Sequence, residues 1–184
     1  MLQPIIEPQS VMDFFRGFKE KAVAEDDGVI PMLMFLDCPE LAPDDDDDMR
    51  GVAIVVIPTT VPTSALHDLF TKLKTDGPLV GKDVLGVGLA SDTYYAALPD
   101  GSTMDDVVAL KSHGSLAQLY QEGHPHVKEA LSVSVLRQDG VMSTLTLPYG
   151  TNDDGSLRWE EPVDYGDQTS TEGTVPEAMA VLLS

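Results

Sequence analysis

The chain has 184 residues and a formal net charge of −20, from 31 acidic against 11 basic side chains. That length holds one domain with a sizeable core, and the single cysteine, Cys38, excludes an internal disulfide framework and a cysteine-rich zinc site. No run of 18 apolar residues exists, which excludes a transmembrane helix, and the opening Met1-Leu2-Gln3-Pro4-Ile5-Ile6-Glu7, without a basic start or a long apolar run, does not read as a signal peptide.

Ser10 is the expected cap of a helix starting at Val11, where Val11, Phe14, Phe15, Phe18 and Ala22 recur at spacings of three and four. Asp26-Asp27-Gly28 ends it. Residues 29–37 are almost all apolar and predict a buried strand, with Pro31 confining it to an edge or marking the strand's start. A loop over 40–48 follows, and the β-branched run 50–57 reads as a central strand, paired antiparallel with the first. Thr63 or Ser64 caps a helix through about Thr75, with Leu66, Leu69, Phe70 and Leu73 on one face. Residues 84–98 form one bent strand or two. Residues 103–121 form one helix or two, interrupted at Gly114, with Val107, Val108, Leu110, Leu116, Leu119 and Tyr120 facing inward. The alternation of 127–137 and 141–148 across Gln138-Asp139-Gly140 is the strongest hairpin signal in the chain. Leu157-Arg158-Trp159 predicts a short further strand, 162–175 a mobile acidic linker, and Pro176 the first turn of a C-terminal helix. The sum is an α+β (mixed α/β) domain over 1–161, with a largely antiparallel sheet of five or six strands and three to four helices, then the linker 162–175 and the helix 176–184.

His124-Pro125-His126 places two histidines together, and Ser134 stands where a metal-dependent deubiquitinase-like pattern needs a serine. Arg137 occupies the place of its aspartate, so no metal is expected. The loop 150–155 partly resembles an EF-hand calcium loop through Asn152, Asp154 and Glu161, but Gly150 stands at the first ligand position and no helix precedes it. Cys38, after an apolar run, reads as buried packing. Neither glycine-rich phosphate motif is present, and no cofactor is expected. The alternation through Leu131, Val133 and Val135 points Glu129 inward, where a lone carboxylate is costly, so it pairs with a base, sits at the wet end of the sheet or belongs to a site.

The acidity is uneven, with residues 1–49 at net −10, 50–138 at −2 and 139–184 at −8. Nucleic acid and anionic membrane are poor direct ligands for such a chain, because both are bound through Lys and Arg; a basic protein is a fitting one. The expectation is therefore a non-enzymatic acidic interaction protein that binds, and in the sharper version inhibits, a basic or nucleic-acid-binding protein. Asp44, Asp45, Asp46, Asp47 and Asp48 are the candidate contact, and a solvated loop is their plain alternative. Two other functions stand beside it: a small hydrolase around His124, His126, Glu129 and Asp92, and a virion-associated accessory protein. The apolar end of the chain, 175–183, leaves a homodimer open. In its richness in Asp, Ala, Val and Gly, with Asn152 its sole asparagine, the chain resembles in composition and style the small proteins of actinobacteria and their phages, while matching no family motif. A cytoplasmic location is expected, the host's cytoplasm if a phage encodes the chain.

Overall fold

Pro8–Ala24 forms the first helix, α1, in a computed structural model that describes residues 6–25, 30–41, 52–99, 101–169 and 173–184. Pro8 stands in its first turn behind an extended Glu7, so the helix begins ahead of Ser10, the expected cap. Its buried stripe is Val11, Met12, Phe15 and Lys19, while Phe14 and Phe18 stay 46% and 37% exposed. The helix is thus rotated from the face that its phenylalanines suggest, and it turns a lysine towards the sheet.

The described residues hold seven strands, β1 (Met32–Asp37), β2 (Val52–Ile57), β3 (Gly86–Ala96), β4 (Val127–Arg137), β5 (Met142–Thr151), β6 (Leu157–Trp159) and β7 (Val163–Gln168). Their order is β2-β1-β3-β4-β5-β6, with β7 also on β5 and every pairing antiparallel, which makes the fold α+β. Of the two readings of Pro31, the structure has the strand's start, while β2, expected to be central, lies at the edge. Pro31 precedes β1 and costs no ladder bond there, so β1 runs through the interior. The β-branched β2 takes the edge, with Ile54 and Val56 exposed. A run of Val and Ile marks a strand but not its neighbours.

Each face of the sheet carries its own core. On one, Met34, Leu36, Val87 and Leu136 pack against α2 (Leu66–Thr75) and α5 (Thr174–Leu183), through Phe70 and Met179. On the other, Leu33, Phe35, Leu131 and Val133 receive Met12 and Phe15 of α1. Alternation explains the split, since successive β1 residues belong to opposite cores. Fully buried rings such as Phe15 and Phe70 each contribute about 2–3 kcal/mol. Gly88 lies on the α1 side, where an added Cβ would stand 3.2 Å from Ile6 Cγ2 and 3.3 Å from Phe35 Cβ.

A third cluster joins Leu110 and Leu119 to Val127 at the end of β3 and β4. It is brought there by α3 (Met104–Ser112) and α4 (Leu116–Gln121), which are separated at Gly114, φ 149°. Val108, expected to face inward, is 61% exposed, and the side chain of Val107 lies outside the described ones. The stretch expected to link domain and tail carries β7, whose Asp167 accepts from Ser143 Oγ at 2.5 Å and from Arg137 Nη2 at 3.1 Å. Those two donors hold the Asp167 carboxyl below its ordinary range, the serine first. The C-terminal helix buries Ala178, Met179 and Leu182 beside α2 of its own chain. No helix among the described residues is long and apolar enough to cross a membrane.

Candidate functional site

The register sets a row of four side chains across the sheet on the α1 side: Tyr94 opposite Glu129, Glu129 opposite Tyr149, and Tyr149 opposite Trp159. Asp92 stands two residues before Tyr94 and so shares its face. Lys19 descends from α1 and donates to Asp92 Oδ2 at 2.5 Å. The Tyr149 hydroxyl donates to the other oxygen, Oδ1, at 2.6 Å. The Lys19 ammonium also lies 5.2 Å from the centre of the Tyr149 ring. Lys19 is almost fully buried and Asp92 mostly so.

The row continues on both sides. Tyr120 of α4 donates to Glu129 Oε2 at 2.9 Å and packs on Tyr94 with ring centres 5.1 Å apart. Trp159 meets Tyr149 edge to face at 5.4 Å, donates through Nε1 to Glu20 Oε1 at 2.7 Å, and lies under the Arg16 guanidinium. Burial, and next the bond to Asp92, push the Tyr149 phenol far above its ordinary range, so it remains a donor. Burial and the bond to Glu129 push Tyr120 up to about 12. Burial also raises Tyr94, with Glu129 and Asp92 adding to it.

A cavity of about 300 Å³ opens beside this network, lined by Lys19, Asp92, Tyr94 and Glu129 together with Ile30 and Thr59. Two of the four hydrolase candidates, Asp92 and Glu129, therefore share one site. His124 and His126 do not line it; they stand in the turn before β4, with ring centres 5.8 Å apart and the His126 backbone N–H donating to His124 Nδ1. The Lys19 ammonium and the Asp92 carboxylate are charge-paired and hydrogen-bonded, as burial of such groups requires, while Glu129 accepts from the Tyr120 hydroxyl. Chemically, the arrangement clamps α1 to the sheet.

The residues that sequence reasoning missed here are Lys19, Tyr149, Tyr120 and Trp159. One signal for the first lay in the spacing: Lys19 follows Val11 and Phe15 at steps of four, inside the apolar stripe, where a base implies a buried acid facing it.

Among the described residues, no three His, Cys, Asp or Glu side chains are grouped to hold a metal ion. The calcium-like loop joins β5 to β6 as a turn: Asp154 Oδ1 accepts from the backbone and hydroxyl of Ser156, which holds its carboxyl below the ordinary range. Cys38 is fully buried, and burial, then the bond to Glu40, raises its thiol, which suits packing better than nucleophilic attack. Asp44, Asp45, Asp46, Asp47 and Asp48 lie outside the described residues. Comparison of the chain with protein-family models, with curated proteins and with solved structures gives no match.

Proposed function

We propose that this protein is an acidic, non-enzymatic interaction protein whose partner is a basic protein. One observation carries the reading: among the described residues, six of the chain's eleven bases are already engaged from within. Arg16, Lys19, Lys21, Lys128 and Arg137 each hold a carboxylate of the same chain, and the Lys74 ammonium donates to backbone carbonyls of Lys82 and Leu182. The surplus acids then set the field around the molecule, which speeds encounter with a cationic surface and repels polyanions. A partner that itself binds nucleic acid fits this field, and occupying its basic surface would inhibit it.

The test is capture of partners by the tagged protein from nuclease-treated actinobacterial lysate at low and high salt. A parallel capture uses the variant with Asp44 to Asp48 all replaced by asparagine. The expected result is an enriched basic protein that survives nuclease, leaves at high salt and is captured less by the variant. Captured proteins with no basic bias, or retention unaffected by salt, would overturn the reading.

A further inference from the structure

We infer that the edge strand β2 is the docking surface, and that its occupant is an extended segment of the partner in which apolar and basic residues alternate. This rests on the reading that the partner is basic. β2 ends the strand order, and among the described residues no strand pairs with its outer side. Edges of this kind are ordinarily blunted by Lys, Pro or a bulge. Val52–Ile57, with the sequence Val-Ala-Ile-Val-Val-Ile, holds no charge and no proline, and its register with β1 is unbroken.

The side chains beside this edge are unusually bare. Ile54 and Val56 stand opposite Phe35 and Leu33 on the α1 side of the sheet, 39% and 59% exposed. Phe14 of α1 packs edge to face on Phe35 at 5.7 Å and is itself 46% exposed. Phe14, Ile54 and Val56 thus form an apolar ledge along the backbone edge. An added strand gains main-chain hydrogen bonds from β2 and sets every second side chain on the ledge, leaving the intervening ones for charge.

Charge selects the occupant. The whole chain carries −20, so a second copy approaching β2 meets like charge, whereas a lysine- or arginine-bearing segment is attracted. In sequence, the five aspartates end at Asp48, four residues before Val52, which concentrates negative charge on the chain that leads into this strand.

The experiment is fluorescence anisotropy with two labelled peptides of equal length and charge, one alternating valine with lysine, the other proline with lysine. Each is titrated into the wild-type protein and into Ile54→Ser/Val56→Ser, with the melting transition recorded for both proteins. Val56→Thr, which stays β-branched, replaces the double variant if that variant fails to melt cooperatively. The expected result is binding of the valine peptide to the wild type, weakened about tenfold by the double variant. The proline peptide, unable to pair as a strand, binds correspondingly less. Equal binding of both peptides to both proteins overturns the docking edge and leaves the basic-partner reading standing. Binding of neither peptide at low salt overturns both. A wild-type dimer in sedimentation that the double variant abolishes assigns the edge to a second copy and overturns the proposal.

Discussion

Lys19 on α1 and Asp92 on β3 meet at 2.5 Å although 73 residues separate them in the chain, and their contact fastens the helix to the sheet. Removing one partner strands the other in a poorly solvated place, whereas removing both leaves an apolar contact. Lys19→Met alone is expected to cost about 2–3 kcal/mol, and the pair Lys19→Met/Asp92→Leu less than the sum of the two single changes. Urea unfolding of the four proteins in the cycle measures this. Strict additivity would mean that the pair contributes no coupling.

Tyrosine ionisation gives the fold an alkaline limit. An unfolded tyrosine loses its proton near 10.0, while Tyr120 holds its own to about 12 and Tyr149 is raised further. Above pH 10 the folded state therefore keeps protons that the unfolded state has lost. The stabilisation is complete below that pH and drains away as pH rises towards 12. Melting temperature against pH should fall over this window in the wild type and fall less steeply in Tyr120→Phe/Tyr149→Phe. At neutral pH, Tyr149→Phe should cost about 1–2 kcal/mol through the lost bond to Asp92.

Two glycines respond in opposite directions to alanine. At Gly77, after α2, a Cβ would stand 2.7 Å from Leu73 Cα and 2.8 Å from Leu73 O, both backbone atoms, so the turn must shift. Gly77→Ala is expected to lose about 1–3 kcal/mol. At Gly17, inside α1, nothing lies within 4 Å of the added methyl. Gly17→Ala is expected to gain about 0.5–1 kcal/mol by lowering the freedom of the unfolded chain. Thermal melts of both variants decide the matter.

β7 is secured through Asp167, which Ser143 and Arg137 both hold. Asp167→Ala should accelerate amide exchange across Val163–Gln168 while exchange in β4 stays unchanged. Equal acceleration in both strands would show that β7 opens only with the whole sheet. Because these donors lower the Asp167 carboxyl, the attachment is present above the usual aspartate range and weakens as pH falls through it.

Local pattern was the legible part of the fold. The 3.6-residue spacing of Leu66, Leu69, Phe70 and Leu73 marks α2, and the alternation about Gln138-Asp139-Gly140 marks the β4–β5 hairpin. Position within the sheet was not, because Val and Ile suit an edge and a centre alike until the neighbours are known, as β2 demonstrates. β7 was hidden because its outward side chains are polar, so Val-Asp-Tyr-Gly-Asp-Gln has the composition of a linker. At the candidate site, strand alternation did expose Glu129 as facing inward. Lys19, Tyr120 and Tyr149 come from three distant segments, and only the register of β3, β4 and β5 brings them together.

The outer side of β5 is divided between two short strands, β6 at one end and β7 at the other, with a break in register between Ser143 and Leu145. That flank closes on a three-residue strand and on one bearing two aspartates, neither of which offers an even template to another chain. The sheet is therefore one-sided in its valence. If a segment joins β2 as proposed, it meets no second even edge among the described residues from which a next copy could continue, so assembly would be expected to halt rather than grow into a fibre.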